Sequence, residues 1–454
     1  MEGNMSIFKA YDIRGIYGTE LTEEIAEKIG YAIIKFTKAK NIVVGYDSRT
    51  SNLKIFSAFA KGVINSGANV THIGIVTKPL LNWVSIKHKF DLGVIITASH
   101  NPKDYNGFNF MWGKKTLHYG NGLNKVEEMI KNKFTPSKRK GKIISKDYID
   151  EYVNFLSTKL IKKGLKKLNI VGDASNGAAG EELKKFMEKN NIDCELLFTE
   201  PDGNFPCHDP NPLNDGALAV LRRKVVEKKA DFGFIVDPDA DRARFVDEKG
   251  NIVDNSYMQS LVIKYLLNKH KKGVVVRELT ARKILSDTIK RNKGKDITSR
   301  VGHPYVIDLM IQHKAIYGCE MSGHNFFKEM YNLDSGVLMM INVINMYLSQ
   351  KKNISTLIKP LDKYVYLGEL TYKIKYDTDK VILIDKVKEH FSSKKKKYSI
   401  KKIMEIDGTS IIANDFWFNV RPSNTEPILR FRIEGKEKKK VDKIRKEVEK
   451  ILIK

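Results

Sequence analysis

The 454-residue sequence predicts an α/β protein of three related units, closed by a smaller α+β unit. Three observations carry that expectation. A β-branched apolar run, a polar or glycine-rich loop and a helix-period segment follow one another three times. The apolar runs lack alternation, as strands buried on both faces do. After about Leu361 the pattern changes to alternating strands and one terminal amphipathic helix.

The first repeat is "NIVVGYDSRTSNLKIFSAFAKGVINSG", whose helix ends at Gly67. "LNIVGDASNGAAGEELKKFMEKNN" repeats the plan from Leu168, and "GVVVRELTARKILSDTIKRNKG" repeats it from Gly273. Strand, loop and helix in that order predict parallel sheets with crossover helices. The similarity is one of plan and not of letters, so this is no solenoid. The closing unit reads "YVYLGELTYKIKY", a basic loop, "GTSIIANDFWFNVRPSNTEPILRFRIEG" and a helix with Val441, Ile444, Val448 and Ile451 on one face. Units are therefore expected at 1–150, 151–254, 255–362 and 363–454.

Composition bounds the function. A 42% apolar content supports real cores, and 30% charge argues against disorder. The net charge of +26 admits nucleic acid, anionic membranes or acidic small substrates. Its lysines, however, run along the whole chain as solvated helix faces, without the interleaved aromatics of a single-strand platform. Neither nucleic acid nor membrane is expected as a partner. Three cysteines without metal-type spacing suit ordinary buried or half-buried thiols in a reducing compartment. With no signal-like or membrane-length apolar run, a cytoplasmic location is expected.

Four loops carry chemistry. "TASHNP" follows the apolar run Leu92–Thr97, placing Ser99 and His100 where α/β proteins bind ligands. His100 is a candidate acid or base near neutral pH, and a hydroxyl turn beside a surface histidine is the plain alternative. "FIVDPDADRAR" sets Asp237, Asp239 and Asp241 at alternate positions after Phe232–Val236. Three carboxylates on one face repel unless a cation neutralises them, and an all-oxygen set suits Mg2+ or Ca2+. An EF-hand is the rival, since Glu248 falls at its twelfth position, but Arg242 stands where glycine is required. "GCEMSGHNFF" alternates Glu320, Ser322 and His324, a set suited to vicinal sugar hydroxyls or to an incidental polar turn. "RPSNTEP" gathers Arg421, Ser423, Asn424 and Thr425, good phosphate-clamp chemistry or a plain inter-strand turn.

In this order and spacing, the four loops resemble the phosphoserine, metal, sugar and phosphate loops of the α-D-phosphohexomutase superfamily. "FKAYDIRGIYG", "VGDASNGAAG" and "EPDGNFPCHDPNP" add to a resemblance that spans essentially the whole chain. "EMSGH" and "RPSNTEP" are similar to the phosphomannomutase/phosphoglucomutase branch; the phosphoglucosamine branch more usually carries "EQSGH" and "RPSGTEP".

The resemblance implies a four-domain, heart-shaped α/β molecule with one loop from each domain in a central cleft. It implies reversible transfer of a phosphoryl group between Ser99 and a hexose phosphate, through a hexose 1,6-bisphosphate. One Mg2+ on Ser99, Asp237, Asp239 and Asp241 is implied as cofactor. His100, Arg14 and Arg242 are implied in proton and phosphoryl handling. Tyr11, His303, Glu320, Ser322, His324, Arg421, Ser423, Asn424 and Thr425 are implied as contacts to glucose or mannose phosphates. A monomer or weak dimer is expected.

Two positions depart from the family pattern. Asn109 stands where the family has a lysine, with Lys114 and Lys115 the candidate substitutes. A substrate-phosphate lysine is not evident in "VVVRELT", where Arg277 is the nearest cation. A non-catalytic phosphosugar-binding relative and a phosphoglucosamine mutase are the competing readings, with a nucleic-acid binder as the rival from another class.

Overall fold

The structure is a computed structural model that describes residues 7–376, 378–423 and 427–453. Four sheets follow one another along the chain, the first of seven strands and the others of five.

The first three sheets share one device. In each, parallel strands run side by side until the last one turns back into an antiparallel neighbour. Those pairs are Leu92–Ile96 with Tyr105–Trp112, Phe232–Val236 with Ala243–Asp247, and Tyr317–Cys319 with Asn325–Phe327. Every residue of Leu92–Ile96, Phe232–Val236 and Tyr317–Cys319 is buried, which explains why these runs do not alternate. The three reversals begin at residues 97, 237 and 320, so three chemical loops stand at equivalent carboxyl ends of equivalent strands.

The fourth sheet is wholly antiparallel, in the order Val365–Lys373, Ile428–Gly435, Phe416–Pro422, Thr409–Ala413, Ile400–Met404. Helix Lys438–Leu452 lays Val441, Ile444, Val448 and Leu452 on its core, each burial contributing on the order of 2 kcal/mol. Ile451, expected on that face, is only half-buried, and Leu452 completes the stripe. The helical period carries the buried side of this last turn one residue further.

Packing divides the molecule unequally. One apolar core joins residues such as Trp83 and Tyr152 to Phe234, Tyr317 and the almost wholly buried helix Gly336–Gln350. The fourth unit has its own core. It meets the third through Glu434, fully buried, which accepts Arg282 Nε at 2.9 Å, Lys283 N at 2.7 Å and Trp417 Nε1 at 2.8 Å.

Cys319 is buried and Cys194 half-buried, whereas Cys207 is exposed, contrary to expectation. It lies in a proline-rich loop between strand Asp193–Leu197 and helix Ala219–Glu227. No helix among the described residues is long and apolar enough to cross a membrane.

Candidate active site

A cleft of about 710 Å3 opens where the four units meet, lined by their loops. Ser99 takes a left-handed backbone conformation (φ 50°) just past its strand, a costly position for a residue with a Cβ. Its N–H is held by Thr97 Oγ at 2.8 Å, and its own Oγ donates to Asp237 Oδ2 at 3.1 Å. His100 Nδ1 lies 3.3 Å from the same Oγ.

The loop around Ser99 is set by a residue that the sequence did not single out. Arg49 is buried, pairs with Asp47 at 3.2 Å and donates to four main-chain carbonyls. These are Ser99 at 2.8 Å, Asn101 at 2.6 Å, Pro102 at 2.6 Å and Tyr105 at 2.8 Å. Phe205 stacks on its guanidinium at 5.3 Å. Gly203 lets that loop approach, since a Cβ there would stand 2.5 Å from Arg49 Cα.

Asp237, Asp239 and Asp241 are all buried, with carboxylate oxygens within 4.8 Å of one another. The glycine-rich turn after the second unit's first strand backs this loop. Ala178 N–H donates to Pro238 O at 2.8 Å, and a Cβ on Gly177 would sit 2.5 Å from that oxygen. Burial and the neighbouring carboxylates push Asp239 well above the usual carboxylate range, and Asp237 to about 6. Burial opposes ionisation of Asp241 too, but Lys78 and His324 draw it well below that range. Asp239 Oδ1 is buried without a hydrogen-bond partner among the described residues. Converging, repelling and partly unpartnered oxygens of this kind fit a hard divalent cation. The EF-hand alternative fails: Glu248 bonds Ser355 and takes no part in the cluster.

The third loop crosses to the second through a backbone bridge between Arg242 and His324. His324 Nδ1 lies 2.9 Å from Glu320 Oε2, and Nε2 lies 3.3 Å from Asp241 Oδ1 and 3.1 Å from Arg242 Nε. Burial resists its charge, but Asp241 and Glu320 raise its pKa to about 10. Glu320 also accepts Gly302 N–H at 3.0 Å, while half-buried Ser322 faces the cleft.

Tyr11 donates to Val301 O at 3.1 Å and packs edge-on against His303, joining the first unit to the third. Burial, aided by nearby cations, drops His303 well below its ordinary pKa, and its Nε2 has no hydrogen-bond partner among the described residues. Arg14 donates to Asn101 Oδ1 at 2.8 Å and Asp12 Oδ2 at 2.6 Å.

The fourth unit brings a cluster of arginines larger than the sequence suggested. Arg421 and Arg430 face each other across two antiparallel strands, and Arg432 lies two residues along. Like charges directly opposite repel. Glu369 answers them, at 3.4 Å from Arg421, 2.9 Å from Arg430 and 2.8 Å from Arg432. Glu369 is thus shared among three guanidiniums that line the cleft, a wall suited to an anion. Ser423 is buried at the end of this strand; Asn424 and Thr425 lie outside the described residues.

Two expected substitutes are not in the cleft. Lys115 pairs with Asp308 at 3.3 Å on the surface, and Lys114 borders a separate surface hollow with Trp112. Both stand beyond the end of the strand that carries Asn109 into the site. Arg277 is bound to Asp296 at 2.9 Å and faces another crevice. The buried ammonium of the site is Lys78, 2.6 Å from Asp241 and 3.0 Å from Asp334. Its sequence signal was its place just past a parallel strand, where ligand-facing residues gather. Arg430 and Arg432 were legible as alternate positions of one strand.

Comparison with known proteins places this cleft. Family models described as phosphoglucomutase/phosphomannomutase alpha/beta/alpha domains I, II and III match residues 5–136, 146–250 and 254–364. The C-terminal domain of the same family matches 377–451. A phosphomannomutase of Methanocaldococcus jannaschii is 34% identical, over 100% of this chain and 99% of its own. A phosphoglucomutase of Neisseria gonorrhoeae is 32% identical, over 96% and 95%. The crystal structure of a phosphoglucomutase/phosphomannomutase family protein from Burkholderia thailandensis superposes with a TM-score of 0.88 at 27% identity, covering 98% of this chain and 97% of that one.

Proposed function

The chain belongs to the phosphoglucomutase/phosphomannomutase family, and we propose that it interconverts the 1- and 6-phosphates of glucose and mannose through a phosphoryl group carried on Ser99. One observation carries the assignment of the site: Ser99 Oγ of the first unit is hydrogen-bonded, at 3.1 Å, to the acidic triad of the second.

Phosphoryl transfer asks for placement and for neutralised oxygens more than for covalent assistance. Asp237, Asp239, Asp241 and an oxygen on Ser99 would hold one divalent cation, Mg2+ by its preference for oxygen donors, which neutralises phosphoryl charge when bound. The sugar hydroxyl bonds to phosphorus as the Ser99 Oγ–P bond breaks. The hydroxyl proton passes to His100 and from there to Ser99 Oγ. Burial, then Arg242 and Arg14, push the His100 pKa to about 2, which keeps the ring neutral but weakly basic while no phosphate is beside it. Phosphate anions beside it oppose that push. The hexose 1,6-bisphosphate then turns over within the cleft, exchanging its reacting and resting phosphates, and returns the other one to Ser99 by the same steps reversed.

Arg14 and Arg242 border the transferring phosphate, and Arg421, Ser423, Arg430 and Arg432 clamp the one at rest, with Asn424 and Thr425 beside them. Ser322, Glu320, His303, His324 and Tyr11 receive the sugar. Glucose and mannose differ at one hydroxyl, which a cleft of this size discriminates weakly. A monomer or weak dimer is the proposed assembly. The three unpaired cysteines accord with a reducing cytoplasm.

Turnover of glucose 1-phosphate and mannose 1-phosphate, with Mg2+ and a trace of the bisphosphate, tests the assignment. Both are expected to react, and Ser99→Ala to lose both the activity and the phosphoryl mass on the intact chain. Equal turnover by Ser99→Ala would end the proposal.

A further inference from the structure

Lys78 is the first residue of helix Lys78–Lys87 and touches three units at once. Its N–H donates to Asp239 O at 2.9 Å in the second unit. Its Nζ lies 2.6 Å from Asp241 Oδ2 of the second unit and 3.0 Å from Asp334 Oδ2 of the third. Only 4% of the residue is exposed.

Asp241, His324 and Asp334 converge as closely as the triad does, and Asp241 belongs to both groups. The second group already holds a cation in the form of the Lys78 ammonium. A brace alone would not need that charge, because a buried ion pair repays its desolvation poorly and apolar side chains of similar volume hold such junctions as well. Asn109, by contrast, brings no charge to the cleft wall.

We propose that Lys78 is a resident second cation of the reaction site, sharing Asp241 with the divalent metal and setting the net charge against which the phosphoryl group of Ser99 is stored. This rests on the phosphohexomutase reading. Two effects of opposite sign follow. The ammonium repels the metal and occupies one of its carboxylates, so it weakens metal binding. It also offsets the carboxylates that repel a phosphoryl dianion, so it favours the phosphorylated enzyme and its transfers.

The test uses full-length protein with Lys78→Gln, Lys78→Met and Lys78→Arg. Mn2+ binding to dephosphorylated, metal-stripped protein is followed by electron paramagnetic resonance at pH 8. The neutral variants are expected to bind Mn2+ tighter by about tenfold or more. Their kcat should fall by about 100-fold with KM less affected, and phosphoserine occupancy should drop on the intact chain. Lys78→Arg should keep the wild-type Mn2+ affinity and regain part of kcat. Unchanged or weaker Mn2+ binding in both neutral variants would overturn the proposal. So would failure of both to show a cooperative melt, which would make the ammonium a brace of the three-unit junction. A wild-type protein inactive on both sugar phosphates would refute the mutase reading alone, because the Mn2+ comparison needs no turnover.

Discussion

Replacing Arg49 by Met tests how the Ser99 loop is held. The side chain is buried, and the change strips charged donors from the carbonyls of Ser99, Asn101, Pro102 and Tyr105 while leaving Asp47 without its guanidinium. A buried charge deprived of its partner costs about 3–5 kcal/mol. Each hydrogen bond lost from a charged donor costs about 1.5–3 kcal/mol, and the terms are not additive. Local opening of the loop returns these groups to water and so caps the cost below the stability of a domain, about 5–15 kcal/mol. The loop is therefore expected to open before the domain does. Asp47→Asn in the same chain should recover about 2 kcal/mol or more by removing the orphaned charge. Amide hydrogen exchange across 97–105 reads the opening, thermal melts read stability, and glucose 1-phosphate turnover reads the consequence for Ser99. Exchange in that loop at the wild-type rate, together with turnover within twofold of wild type, would refute the reasoning.

Other perturbations probe different parts of the molecule. Glu182 is fully buried at the junction of the first two units; Thr77 Oγ donates to one oxygen, and the other has no partner among the described residues. Burial raises its pKa from 4.5 to about 8. Between those values the folded state alone holds the proton, so stability should fall as pH rises and level off above about 8. The slope has an upper limit of about 1.4 kcal/mol per pH unit. Glu182→Gln should flatten it and melt higher at pH 8, and equal slopes in the two proteins would refute the assignment. Arg430→Met leaves Glu369 with two guanidiniums in place of three. It should raise KM for both 1-phosphates by about tenfold with kcat less changed, and a pure kcat effect would move Arg430 from the resting phosphate to the reacting one.

The sequence showed what lies within single loops and little of what loops do to one another. Uniformly apolar runs leading to Ser99 and Asp237 were legible because a strand buried on both faces leaves that signature and its carboxyl end is where polar residues reappear. Lys78 was not, because its partners Asp241 and Asp334 are 163 and 256 residues away and no local pattern records them. Arg49 was hidden for a related reason: its ligands are main-chain carbonyls, which carry no side-chain signature. Lys114 and Lys115 misled by closeness in sequence to Asn109, since the turn after the strand carries them to the surface.

Trp417 and Glu434 are register partners at one end of the fourth sheet, and Arg421 and Arg430 are register partners four residues further along the same two strands. At about 3.3 Å per residue the pair of arginines stands roughly 13 Å from the anchored Glu434. The sheet is thus anchored at Arg282 near one end and borders the cleft with Arg421 and Arg430 at the other. A tilt of about ten degrees sweeps the guanidiniums by roughly 2 Å on that arm. On the phosphohexomutase reading, a movement of that size at the arginine end would take up part of the difference in reach between a sugar's two phosphate ends.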